Sequence, residues 1–438
     1  MAHDLYAQHI EHLDAGYQRA LEATGFDAVV VHAGVPLPKS PFDDQFWPFE
    51  PVPAFAHWAP VAWPGSAVLV RRGQAPVLFA HREDSFWEAP VALDLPLLQA
   101  GLTVEVVTDD APLRRAVQSA GKVAFIGHEQ ATAAALGVAP EAFVPAALLA
   151  QLHELRVTKT PYEVECMAAA SRVAARGHSA VAEAFSAGVR SELDLHMVYL
   201  MATEQDDHQA PYKNIVALGA HASTLHHVDY GEAPEAGSLL LDAGARHAGY
   251  CADITRTVAA QGGGDAARRF RALLAGMEAL QAEVVAKVQV GLQYEALHDA
   301  SHDLMGRLLV DTGLSRISAE AAVETGLTRV LFPHGLGHSL GIQVHDVGCR
   351  LTEPRPENKF LRNTRTIAPG QVFTIEPGLY FIDALLAEAR AGAHADSLDW
   401  ALVDALRPFG GIRVEDNVVV LPEGSAENVR NLTREAFE

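Results

Sequence analysis

Apolar and polar positions along the first part of the chain switch between helical and strand periods. Residues 4–24 repeat at helical spacing and stop at Gly25, predicting an amphipathic helix. The run AVVVH at 28–32 predicts a short apolar strand. Residues 67–70 and 77–80 predict two more strands around a turn at Arg72 and Gly73. Residues 104–107, a helix near 111–120 and a strand at 123–126 complete a mixed α/β pattern. Residues 36–63 break the periodicity with prolines and aromatics: Phe42, Phe46, Trp47, Phe49, Phe55, Trp58 and Trp63. The plainer expectation for them is an irregular loop packed by its own aromatics. The alternative is a wall or lid over an active site.

A new pattern starts at Thr160-Pro161-Tyr162-Glu163, with Thr as N-cap, Pro at the first helical position and Glu closing a capping box. An alanine-rich helix is expected from there to about residue 185. This start places a domain boundary between an N-terminal mixed α/β domain (1–158) and a second domain (159–438). The second domain echoes itself. Gly188, Ser191 and Asp194 stop one helix and cap the next, and Gly291 to Glu295 do the same after a long helix over 266–290. Each helix pair neighbours acid-bearing strands, Asp242 with Asp253 and Glu376 with Glu415. The echo predicts a pseudo-two-fold α+β domain with a site on its axis.

Composition narrows the function classes. The 438 residues contain 49% hydrophobic and 20% charged positions, enough for two buried cores. The net charge of −22 repels phosphate backbones and anionic lipid, so neither nucleic acid nor membrane partners are expected. Cys166, Cys251 and Cys349 form neither a CxxC pair nor a disulfide framework. The first residues carry early charges and no apolar core, and no run of 18 apolar residues occurs. A cytoplasmic protein is expected.

The chemistry-bearing residues sit at strand ends and beside glycines. Asp242 closes the apolar run LLLD, where burial is costly without a partner or a metal. Asp253 follows eleven residues on, after a turn around 245–249 that would fold the two strands antiparallel. Glu376 ends a strand in TIEPG. In GIRVEDN, alternation puts Arg413 and Glu415 on one face. His334, His338 and His345 lie among Gly335, Gly337 and Gly341, which count against a helix and suit close backbone approach. Each piece alone has a bland reading: a turn aspartate, a surface ion pair, a polar core histidine. Together, four carboxylates and an imidazole make a hard, thiolate-free ligand set suited to two divalent ions such as Mn, Co, Fe or Zn. Two such ions 3.5–4 Å apart clamp both sides of a hydrolytic transition state.

The order Asp242, Asp253, HGLGHSLG-x-x-VHD, TIEPG, GIRVEDN resembles the pita-bread metallopeptidases, a family that includes methionine aminopeptidase, aminopeptidase P, creatinase and prolidase. The resemblance covers residues 160–421. GIRVEDN, SLGIQVHDVG and FDDQFWPFEP at 42–51 are most similar to the long bacterial prolidases, organophosphorus acid anhydrolases among them. It implies a pita-bread catalytic domain behind a smaller α/β domain, a homodimer, and hydrolysis of Xaa-Pro dipeptides with two divalent ions, Mn²⁺ first and Co²⁺, Fe²⁺ or Zn²⁺ as alternatives. It leaves open a side activity on organophosphate esters. It further implies that Asp242 chelates one metal, Asp253 and Glu415 bridge, and His338 and Glu376 hold the second. Glu376 would also take the proton of the attacking water. His226 would steady the tetrahedral intermediate, with His334 and His345 beside the site. Arg413 would grip the substrate carboxylate, and Tyr212 and Tyr294 would line the pocket. Cys349 departs from the pattern, where Gly is expected. The competing readings are an aminopeptidase P activity on longer peptides and a non-catalytic binding protein on the same fold. The complete ligand set counts against the second, and against a metal-free creatinase-type enzyme.

Overall fold

The computed structural model describes residues 2–42, 44–82, 86 and 94–438; Asp43 of the 42–51 stretch lies outside them. The chain divides into two compact units, Met1–Cys166 and Met167–Glu438.

In the first unit, the helix Ala2–Thr24 ends where Gly25 takes a positive φ of 69°. Among the described residues a five-stranded sheet runs in the order Thr103–Val107, Val77–His81, Ala67–Arg71, Ala28–His32, Val123–Ile126. Ala28–His32 pairs antiparallel with Ala67–Arg71 and parallel with Val123–Ile126, so it is an interior strand and wholly buried. The aromatic stretch splits in two. Phe55, Trp58 and Trp63 are buried, with Trp58 edge-on to Tyr17 at 4.8 Å, whereas Phe42, Phe46 and Trp47 are exposed. Packing by its own aromatics is therefore not what orders the segment; its second half is anchored on the N-terminal helix. The capping box forms: the Thr160 amide donates to Glu163 Oε2 (2.7 Å) and the Glu163 amide to Thr160 Oγ1 (3.4 Å). His57 Nε2 lies 3.2 Å from Glu163 Oε1, which ties the first turn of the helix Pro161–Ser186 into this unit.

The second unit repeats one plan twice. Helices Pro161–Ser186 and Glu192–Thr203 precede a sheet ordered Thr255–Ala259, Ser238–Asp242, Ile215–Leu218. Helices Asp265–Ala286 and Tyr294–Asp311 precede a sheet ordered Val372–Ile375, Asp416–Val420, Val429–Asn431. The first of these helices stops a turn earlier than its apolar pattern predicts, because the chain turns at Gly291 (φ 87°) to bring its amide onto the Ile367 carbonyl at 2.9 Å. A bridge between Thr255 and Glu415 joins the two sheets. A large apolar core that includes Phe270, Met277, Leu297, Phe332 and Phe373 lies under the second half. The acids expected at the strand ends all lie around the bridge, on or next to the strands it connects.

Candidate active site

The local fold explains why these particular side chains meet. Ala245–His247 and Tyr250–Ala252 form the expected hairpin, turning at Ala248 and Gly249, both with positive φ. The ladder beyond it pairs Asp242 with Thr255, which leaves Asp253 just outside the ladder and beside Asp242. On the other sheet Ile375 pairs with Asp416, so Glu376 and Glu415 end neighbouring strands. Gly337 lets the histidine segment lie against this sheet, since a Cβ there would stand 2.1 Å from the Thr374 carbonyl oxygen. His338 is thereby fixed over the strand, its amide donating to Thr374 Oγ1 at 3.1 Å.

Asp253, His338 and Glu415 present ligand atoms within 4.8 Å of one another, all buried. His338 Nε2 lies 3.4 Å from Asp253 Oδ2 and 3.5 Å from Glu376 Oε1. Its Nδ1–H donates to the Ser339 carbonyl (3.0 Å), so the Nε2 lone pair faces the acids, as a metal ligand requires. The Tyr212 hydroxyl touches both Asp242 Oδ1 (2.7 Å) and Asp253 Oδ1, placing those two carboxylates side by side. Thr255 Oγ1 donates to Glu415 (2.6 Å) and Thr374 Oγ1 to Glu376 (3.2 Å). Burial and mutual repulsion push Asp242 and Glu415 above the ordinary carboxylate range, and Glu376 to about 7. Asp253 is lowered: burial raises it, but the adjacent His338 outweighs that. A donor set of four crowded acids and an imidazole with a fixed tautomer fits divalent cations, whose charge relieves the repulsion.

These groups floor a cavity of about 510 Å³, lined also by Leu225, His226, Pro333, Phe360, Arg362 and Leu385. His345 lies at its mouth, edge-on to His338 at 4.4 Å, and accepts from Arg362 on Nδ1 at 3.0 Å. Burial, with His338 and Arg362 nearby, lowers its pKa to about 4, so the ring is neutral with its proton on Nε2.

The model of metallopeptidase family M24 matches residues 165–422, and that of the Xaa-Pro dipeptidase N-terminal domain matches residues 4–153. A Marinobacter nauticus protein named Xaa-Pro dipeptidase is 44% identical over 99% of this chain and 98% of its own length. One of the same name from Aeromonas hydrophila is 39% identical, with 99% and 98% covered. The chain belongs to metallopeptidase family M24. Among solved structures, proline aminopeptidase P II from Yersinia pestis superposes with a TM-score of 0.73 at 22% identity, covering 98% of this chain and 96% of that one. Zn-substituted Escherichia coli aminopeptidase P in complex with product gives 0.71 at 21%, covering 97% and 95%. At these identities the likeness establishes the pita-bread fold.

Within this M24 site four expected roles do not follow from the geometry. Arg413 is 5% exposed, and its guanidinium is committed: Nε to Thr255 Oγ1 (3.1 Å), one terminal nitrogen to the Tyr380 hydroxyl (3.0 Å), the other to Asp242 Oδ2 (2.5 Å). A buried guanidinium held by three partners is not free to grip a substrate. Tyr294 is fully buried with its hydroxyl on the Thr374 carbonyl (2.9 Å), so it supports the Glu376 strand from beneath and does not line the cavity. His334 lines the cavity, but Nδ1–H donates to the Gly335 carbonyl (2.8 Å) and Nε2 accepts from Tyr380 (2.9 Å), which leaves neither nitrogen for chemistry. Tyr212 acts on the aspartates and is not among the cavity-lining residues. Arg362 and Tyr380 were not anticipated. The Cys349 thiol, the departure from the family pattern, donates to the Arg362 carbonyl at 3.2 Å and so braces that arginine's backbone.

Proposed function

We propose that this M24 chain is a metal-dependent Xaa-Pro dipeptidase. The observation that carries the reading is a cavity with the complete acid–imidazole donor set at its floor and an exposed arginine, Arg362, on its wall. Asp242, Asp253, His338, Glu376 and Glu415 would hold two divalent cations, with Mn²⁺ first by the hardness of the oxygen donors. Bound there, the cations would polarise the scissile carbonyl and ease deprotonation of water. Glu376 takes the proton of the attacking water and passes it to the leaving nitrogen. His226 and the His345 Nε2–H face the cavity as donors for the carbonyl oxygen as it gains charge. Leu225, Phe360, Ile382 and Leu385 supply apolar surface for a pyrrolidine ring. The reading includes a homodimer, on family resemblance, and a cytoplasmic location, consistent with three free cysteines. Among the described residues no helix is long and apolar enough to cross a membrane.

Two expected results test it. Chelation abolishes hydrolysis of Gly-Pro, and Mn²⁺ restores it; activity that survives exhaustive chelation refutes the metal reading. Arg362→Ala raises KM for Gly-Pro by roughly 10- to 100-fold, the scale of one lost charged hydrogen bond, and leaves glycyl-prolinamide within about two-fold. Turnover of Xaa-Pro-Yaa tripeptides as fast as dipeptides would instead favour an aminopeptidase P activity.

A further inference from the structure

Glu192 has no part in the donor set, yet it is a fully buried acid whose four hydrogen bonds all converge on the segment that carries His226. It opens the helix Glu192–Thr203, one residue after the N-cap Ser191. Oε1 accepts from the Leu218 amide (2.8 Å) and His221 Nδ1 (2.7 Å). Oε2 accepts from the Gly231 amide (2.7 Å) and His227 Nε2 (2.8 Å). Leu218 and Gly231 are the two feet of the segment 219–230, and its tip puts Leu225 and His226 on the wall of the catalytic cavity. Burial would raise the carboxyl, but its donors outweigh this and hold it below the ordinary glutamate value, ionised at neutral pH. A loop of this length closed by ordinary turn contacts would sample many arrangements. Here one anion pins both feet and two side chains.

We propose that Glu192, acting through His221 and His227, is a positioning residue that holds His226 in its catalytic placement. Glu192, His221 and His227 also bring ligand atoms within 4.8 Å of one another. A cation among them would have to compete with two backbone amides already bonded to the carboxylate, so the geometry favours a hydrogen-bonded clamp over a metal site. The proposal rests on the role given above to His226, and a double-mutant cycle separates the two.

Glu192→Gln keeps the size and one acceptor oxygen but turns an N–H group toward donors. Its kcat on Gly-Pro should fall about ten-fold with unchanged metal content, and the Leu218 and Gly231 amides should exchange faster with solvent. In a His226→Ala background the same substitution should cost less than two-fold, because the residue it positions is gone. Equal losses in both backgrounds, or full kcat in Glu192→Gln, overturn the proposal. A fully active His226→Ala overturns instead the reading of His226, on which this one stands. Should Glu192→Gln fail to fold, His227→Gln against His227→Ala makes the same test. Glutamine retains a donor for Glu192 and should recover most of the kcat that alanine loses; equal loss in both refutes the clamp.

Discussion

Glu376→Gln will lower kcat on Gly-Pro by about 10³-fold, within the range of a lost general base, while KM stays within a few-fold. The substitution is nearly isosteric. The glutamine can still accept from Thr374 Oγ1 and lie near His338 Nε2, the two neighbours of the native carboxylate. What it loses is the capacity to take a proton, together with one negative charge of the donor set. The two losses separate experimentally. A weakened ligand is corrected by raising the Mn²⁺ concentration; a missing base is not. The expected result is that kcat stays low at saturating Mn²⁺ with metal content restored. Full recovery at high Mn²⁺ would reduce Glu376 to a ligand and move the base elsewhere.

The clustering of the donor set was legible because each proposed ligand sits where local rules make it expensive. Asp242 closes an apolar strand, Glu376 precedes a Pro-Gly stop, and His338 lies between glycines that a packed segment needs only if a neighbour's backbone comes close. The proposed substrate contacts were less legible. Alternation placed Arg413 and Glu415 on one face, and both do reach Thr255, but period two cannot say which partner waits 171 residues away, and that partner is Asp242. Arg362 lies in a segment with no hydrophobic period and no motif, and only the folded loop brings it to the cavity. The family resemblance alone implies that Tyr294 lines the pocket, yet burial directs its hydroxyl to a backbone carbonyl. Glu192 is the least legible. An acid in the first turn of a helix is ordinary, and its convergence on the segment 219–230 is a tertiary fact.

Arg413 carries the second large effect, and it separates architecture from substrate recognition. The guanidinium links Asp242 to Tyr380, and Tyr380 in turn donates to His334, so one cation orders a chain of three groups at the proposed metal site. In Arg413→Met the cation disappears and the largely buried Asp242 is left without it. Breaking a buried pair in this way costs about 3–5 kcal/mol, read as a lowered denaturant midpoint of the metal-free protein. Arg413→Lys restores the charge but not the planar fork that meets Thr255, Tyr380 and Asp242 together, so it should recover only part of that loss. Both variants should lose kcat/KM on Gly-Pro and on glycyl-prolinamide by the same factor, since the arginine faces the aspartate and not the substrate's tail. The ratio of the two substrates therefore distinguishes this arginine from Arg362, whose removal should penalise only the free acid. If Arg413→Lys discriminates against the acid and remains as stable as the native protein, the guanidinium must leave Asp242 when substrate binds, and the clamp returns to Arg413.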